Sequence, residues 1–298
     1  MSVVSLWIPF TLIGAAGQVA RNAMQRGLTG PLGTLGATHI RFLFGLPFAV
    51  LFLLGILLVG GDRLSWPASG FIPWLVTGGG AQIVATALML AAMNERSFVV
   101  TTAYLKTEAI QAAIFGFVFL SDHLTVLKVG AILLATIGVI ITALRPGGAK
   151  GFGSLRPTLL GLLAASFFAL SAVGYRGAIL NVPNVSFVTA ASFTLAMTLA
   201  MQTVVMSAYL IARRPGVMSS IFKLWKPSMF AGFMGSFASL FWFLAFALTA
   251  AANVRTLALV EVLFAQGVAY YGMKQPLSLR ELCGIALILL GVGLLVAS

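Results

Sequence analysis

Apolar residues run through this chain in ten long blocks, and polar residues punctuate the blocks rather than alternate within them. The blocks cover residues 5–24, 34–59, 71–92, 98–119, 125–144, 158–179, 187–211, 228–250, 254–272 and 281–297. Inside them there is no period of two: Phe48 to Val59 and Gly284 to Ala297 are apolar on every side. A spanning barrel strand would alternate over about 10 residues. A helix needs about 20 apolar residues to cross a hydrocarbon core of roughly 30 Å, and lipid admits only structures that satisfy their own backbone hydrogen bonds. The pattern therefore predicts an all-α membrane protein with ten transmembrane helices. The breaks combine turn formers with charge: Gly60-Gly61-Asp62-Arg63 through Pro67, Asn94-Glu95-Arg96, Ser121-Asp122-His123, Asn181 through Asn184, and Lys274-Gln275-Pro276. No connection is long enough to hold a soluble domain.

The richest break, Arg145-Pro146-Gly147-Gly148-Ala149-Lys150-Gly151-Phe152-Gly153, lies near the middle of the chain. It divides the chain into a first five-helix repeat at 1–144, a linker at 145–157 and a second repeat at 158–298. Sliding residues 79–140 onto 232–293 at a constant offset of 153 needs no gap and makes ten identities, among them Gly79/Gly232, Ala92/Ala245, Glu108/Glu261, Ala112/Ala265, Leu124/Leu277 and Gly138-Val139/Gly291-Val292. Five helices per half is an odd number, so the two repeats are expected to be inverted relative to each other. Inverted repeats are a transporter design that places a site near the midplane and exposes it to each side in turn.

Composition changes this picture little. Lys and Arg outnumber Asp and Glu by 18 to 6, for a net charge of +12. The basic residues lie singly or in pairs at the ends of apolar blocks, where they anchor helices, and no basic stripe with spaced aromatics marks a nucleic-acid binder. One cysteine, Cys283, and two distant histidines, His39 and His123, support neither a disulfide framework nor a metal site. No cofactor is expected. The first block, Leu6 to Ala20, follows no basic segment and ends in no small-residue cleavage site, so it is expected to be a spanning helix and not a signal peptide.

Several segments resemble the drug/metabolite transporter superfamily, specifically its ten-helix EamA-type members, and are similar to the YddG-type amino-acid exporters. They are Thr34-Leu-Gly-Ala-Thr-His-Ile-Arg41-Phe-Leu, Ala109 through Thr125 with its Phe-Leu-Ser-Asp-His-Leu-Thr ending, and Gly130 to Ile141, echoed by Val260 through Ser278 and Gly284 to Leu295. The resemblance implies the superfamily's fold and a carrier for small metabolites, with a central cavity lined by helices 1, 3, 4, 6, 8 and 9. It also implies cytoplasmic termini, and here the charges disagree. Connections and helix ends after spans 2, 4, 6 and 8 hold four basic residues, Arg63, Lys128, Arg176 and Arg255. The opposite set holds twelve, from Arg21, Arg26 and Arg96 to Lys226, Lys274 and Arg280. Cationic loops stay cytoplasmic, so both termini are expected outside the cytoplasm, in a multi-pass cell (inner) membrane protein that is a monomer or weak homo-oligomer in the bilayer.

Ionisable groups in mid-span cost about 2.5 to 3.5 kcal/mol on insertion scales and usually face a cavity or a partner. Lys106, Glu108 and Glu261 qualify. Two positions on a continuous helix are about 200° apart, which puts Lys106 and Glu108 on opposite faces. Glu108 then shares its face with Thr101, Tyr104, Gln111 and Phe115. Glu261 occupies the matching position of the second half. A buried carboxylate pair of this kind is suited to exchanging protons near neutral pH or to accepting a substrate amino group. The structural alternative is that Lys106 and Arg255 neutralise the two glutamates and lock helices together. Further candidate substrate-binding residues are Gln18, Gln82, Gln111, Gln266 and Trp242, with Asn253, Trp7 and Tyr270 behind them. Gly78-Gly79-Gly80 and the stripe Ala231, Gly235, Ser239 read as close helix packing. Arg41, His39, Arg21 and Arg176 read as snorkelling residues near helix ends.

Absent motifs narrow the mechanism. There is no Walker-type loop, no channel filter or acidic ring, and no His-Glu-x-x-His or Gly-x-Ser-x-Gly on a span. An enzyme is not expected. What remains is a secondary carrier or facilitator working by alternating access. Family resemblance suggests export of amino acids, including aromatic ones; a lipid-linked flippase or membrane assembly subunit is the alternative. A sugar-phosphate exchanger should cluster Lys and Arg at the midplane, where only Lys106 was placed.

Overall fold

The computed structural model describes residues 3–95, 104–143, 155–263 and 278–298. Gln266, Tyr270, the predicted break at Lys274 to Pro276 and most of the predicted linker lie outside the described residues. Among the described residues the regular elements are all helices: α1 (Trp7–Leu43), α2 (Gly45–Gly60), α3 (Phe71–Glu95), α4 (Glu108–Leu120), α5 (Val126–Ala143), α6 (Leu155–Leu180), α7 (Phe187–Arg213), α8 (Pro215–Lys223), α9 (Trp225–Leu248), α10 (Ala251–Leu257) and α11 (Leu279–Ala297). Six stretches among these residues are long and apolar enough to cross a membrane: Gly30–Gly60, Phe71–Met89, Thr158–Leu180, Phe187–Arg213, Trp225–Leu248 and Leu279–Ala297. Glu108–Leu120 and Val126–Thr142 are shorter apolar helices. Leu54, Leu58, Val59, Phe117 and Val118 are exposed, as side chains facing lipid should be.

The helices fall into two compact units, one of residues 1–83 and 174–249, the other of 84–173 and 250–298. Each unit draws on both halves of the sequence, and the division passes through α3 and α6.

In the first unit, the predicted gap between the first two spans is helical. Residues 25–33 continue α1, and the direction of the chain changes at Gly33, whose φ of 65° and ψ of 173° only glycine adopts readily. Both legs of α1 pack on α9. A Cβ added to Gly17 would lie 3.1 Å from the Ala238 Cβ, and one added to Gly235 would lie 2.9 Å from Arg41 Cγ. The connection predicted at 212–227 also differs: Pro215 starts α8. Ile221 is buried, and Val217 and Met218 pack with it against Leu28, Leu32, Ile40 and Leu210. Phe222 and Lys223 face outward. Elsewhere α3 and α6 touch through glycines, since a Cβ on Gly174 would lie 2.6 Å from the Gly78 Cα. Asp62, in the connection before α3, caps α7: its Oδ2 accepts from Ser186 N (3.0 Å) and Thr189 Oγ1 (2.6 Å). These hydrogen bonds, Thr189's first and Ser186's after it, hold its carboxyl below the usual carboxylate range.

In the second unit, α5 and α11 pack at backbone distance and in a reciprocal manner. A Cβ on Gly138 would meet Gly284 O at 2.7 Å and Ile288 N at 2.8 Å, while one on Gly291 would meet Ala135 N at 2.6 Å and Ala131 O at 2.7 Å. Subtracting the offset of 153 from 284, 288 and 291 returns 131, 135 and 138. Positions matched by that offset thus exchange the same contacts. Ser278 and Glu281 form a capping box that starts α11. Cys283, in the first turn, is exposed.

Candidate functional site

The second unit gathers four of the charged residues singled out in the sequence. Lys106 Nζ donates to Glu261 Oε1, and Arg255 Nε lies 2.9 Å from Glu108 Oε1. All four side chains are largely buried, at 15% exposure for the two cations and 18% for the two anions. Each glutamate therefore takes its cation from the other stretch of chain, and the cluster sums to zero. Such a geometry needs breaks in the helices, and both stretches have one. Lys106 and Thr107 form a turn before α4 begins at Glu108, and α10 passes into a 3-10 turn at Ala258–Val260 just before Glu261. Exposed peptide groups at such breaks are tolerated inside a membrane only where protein or a cavity receives them.

This corrects one expectation. On a continuous helix Lys106 and Glu108 would face apart, but residues 106–107 form a turn, and both residues reach partners on the single stretch 255–261. The pairing that the structural alternative required is present. It does not exclude a binding role, because buried ion pairs are also groups that a charged ligand can replace.

Two other predicted residues adjoin this cluster along the chain. Gln111 donates to Thr107 Oγ1 at 3.1 Å and its Oε1 accepts from Ser166 Oγ. The Tyr104 hydroxyl lies 2.9 Å from Thr158 Oγ1, and its ring packs where a Cβ on Gly161 would come within 2.9 Å. Gln266 lies outside the described residues.

Gln18, Gln82 and Trp242 belong to the first unit. Gln18 is half-buried on the first leg of α1. Trp242 is 5% exposed, stacked on Phe246 and in contact with α1, where a Cβ on Gly14 would sit 3.3 Å from its ring. Gln82 is part of a network that the sequence reading missed. Gln202 Nε2 donates to Gln82 Oε1 (2.8 Å) and to Gly79 O (3.2 Å), and the Tyr175 hydroxyl donates to Gln82 Oε1 (2.9 Å). The signal was available, since Gln202 is a fully buried amide in the middle of an apolar run. Arg176, taken as a snorkelling residue, instead donates to Phe246 O and Thr249 O at 2.7 and 2.6 Å, where it satisfies carbonyls at the end of α9. A cavity of about 420 Å³ opens beside Gly33, lined by residues that include Thr34, Leu210, Arg214 and Ser220. None of the predicted site residues lines it.

Comparison with known proteins bears on the second half of the chain first. Residues 155–297 match the EamA-like transporter family. That match covers just under half of the chain and makes this half similar to a domain of a membrane-transporter family. A crystal structure of another protein, 16% identical, superposes with a TM-score of 0.71 over 99% of this chain and 95% of its own, which shows a common fold. No curated protein matches the chain.

Proposed function

We propose that the chain is a secondary carrier or facilitator of the drug/metabolite transporter superfamily, built as ten spanning helices in two inverted five-helix repeats at 1–144 and 158–298. The reciprocal contacts of α5 and α11, which the offset of 153 interchanges, support the repeat. The observation that carries the functional reading is the neutral cluster of Lys106, Glu108, Arg255 and Glu261 at two helix breaks. A zwitterion brings one cation and one anion. Its ammonium can replace a cation at Glu108 or Glu261 and its carboxylate can replace an anion at Lys106 or Arg255, so the cluster is neutral with or without cargo. A phosphate ester offers no such exchange. This favours amino acids, and with the resemblance to YddG-type exporters it favours their export, aromatic ones included. Tyr104 and Gln111 flank the exchange site, and Gln18, Gln82, Trp242 and Gln266 are kept as further candidate substrate-binding residues. Alternating access carries the cargo across a cell membrane, and protonation of Glu261 couples the movement to pH by releasing Lys106.

Counterflow in proteoliposomes tests this reading. Liposomes loaded with unlabelled amino acids should take up labelled Phe, Met or Thr with no lipid carrier present, and Glu261→Gln combined with Lys106→Met, which strands no charge, should abolish pH-dependent exchange without lowering the yield of folded protein. Silence across the panel from folded protein, with activity appearing only when lipid-linked cargo is supplied, would replace the carrier with a flippase.

A further inference from the structure

The first unit holds a cavity that the charge cluster of the other unit does not explain. Helices α7 and α9 are long and apolar enough to span, and they end at Arg213 and begin at Trp225, so α8 joins two spans at one face of the membrane. The cavity of about 420 Å³ lies there. One wall is the bend of α1, and the other is the end of α7 with the first turns of α8. Glycine keeps it open: a Cβ added to Gly33 or to Gly216, one on each wall, would meet nothing within 4 Å.

The lining is amphipathic. Leu32, Leu35, Leu210 and Val217 make it apolar, while Arg214 and Thr34 bring polar groups to it. The Ser220 hydroxyl also borders the space but donates to Gly216 O at 2.9 Å. Arg214 is exposed, as are Arg213, Lys223 and Lys226, so four cations crowd one short connection. Nothing in the unit opposes them. Its single carboxylate, Asp62, caps the opposite end of α7, about 40 Å away along a helix of 27 residues. Topology accounts for cations at this face, but not for an apolar-walled space opening beside one of them.

We propose that this cavity binds an anionic phospholipid, with its phosphodiester at Arg214 and Thr34 and its glycerol and first acyl carbons against Leu32, Leu35, Leu210 and Val217. An arginine fork matches two phosphate oxygens, and a hydroxyl can donate to the same group. Basic pockets between spans at a membrane face hold such headgroups. The volume suits one small ligand or one headgroup. Inorganic phosphate would leave the apolar walls uncovered, and a zwitterionic lipid would bring a cation that this surface has no anion to meet. Ile211, next to Leu210 on α7, is exposed and offers apolar surface to the lipid chains.

Native mass spectrometry of the full chain, delipidated in detergent and titrated with phosphatidylglycerol, tests this. Phosphatidylglycerol is expected to bind saturably and at least about tenfold more tightly than phosphatidylcholine, and Arg214→Gln to remove that advantage, the range for a hydrogen bond to a charged group. Gly216→Leu, which fills the cavity from a position where added atoms meet no neighbour, should weaken phosphatidylglycerol to the same degree. Both positions are exposed, so both variants should fold. Lys226→Gln removes an equal charge outside the cavity and should weaken binding less than Arg214→Gln does. Equal losses in those two variants, or unchanged binding in Gly216→Leu, would replace the site with a diffuse attraction of charges and overturn it. Equal binding of phosphatidylcholine would overturn its choice of an anion, and displacement of the lipid by inorganic phosphate would reassign the cavity to a free anion. None of these readouts involves transport. Silent amino-acid counterflow would leave this site standing, and failure here would leave the carrier reading untouched.

Discussion

Arg255 and Glu108 show how much depends on a single side chain when water is excluded. Removing one member of a buried pair strands the other charge, at a cost of about 3–5 kcal/mol, whereas replacing both with apolar residues is often neutral. Arg255→Ala should therefore lower the unfolding temperature of the purified protein sharply, and Arg255→Met combined with Glu108→Leu should recover most of the loss. An equal loss in the double variant would show that packing, not charge, is what the pair supplies. Asp62 offers a second test, outside the spans. Its carboxyl titrates below the usual range when folded, so the ionised form stabilises the folded state at neutral pH. That stabilisation is lost as pH falls through the ordinary carboxylate range and then through the lower folded value. Thermal stability measured against pH should show this acid limb, and Asp62→Asn should flatten it. At this scale the sequence was legible where a residue type is intrinsically costly: Glu108 and Glu261 stand out in any apolar run. It was less legible where the neighbour decides. Arg41 looked like a snorkelling residue because its distance from a helix end can be read along the chain, but its stem packs over Gly235, which lies 194 positions away.

At the scale of elements, apolar length identified most helices, and what it missed was backbone breaks. No residue type near Lys106 or Thr107 announces a turn, and a turn there alters which way every neighbouring side chain points. Gly33 stands in a stretch that contains Gly30 and Pro31 and was taken as a loop; in the structure one glycine suffices for the bend and the rest stays helical. Helix α8 escaped because nine residues cannot span a bilayer, and its apolar face shows only in Val217, Met218 and Ile221. Glycine pairing was better foreseen. Gly138 and Gly291 appear as matched positions in the sequence, and both lie where α5 and α11 approach through backbone. A leucine cannot enter such a contact without moving a helix. Gly138→Leu should cost at least about 1–3 kcal/mol, the usual range for overpacking, and should lower the unfolding temperature more than Gly130→Leu, whose added Cβ meets nothing within 4 Å.

For the whole molecule, the ledger of basic residues between spans predicts a topology that can be checked directly. With Cys283 replaced by alanine, a cysteine at Ser298 should react with an impermeant maleimide added to intact cells. Labelling only after the cells are opened would place the terminus inside. The offset of 153 suggests two sequence repeats; the division of the folded chain into two compact units was not legible in the sequence, because each unit takes helices from both ends of the chain. Such exchange follows from tertiary packing and leaves no local trace.

The paired charges have an electrical consequence. Carrying one elementary charge across a membrane polarised by 100 mV takes about 2.3 kcal/mol. Lys106 and Arg255 cancel Glu261 and Glu108, so this cluster can swing through the field at no cost in either direction. With Glu261 ionised, a carrier that loads a zwitterion there should turn over at the same rate whether valinomycin has polarised the liposome or not, whereas a proton carried on Glu261 would make turnover depend on the polarity.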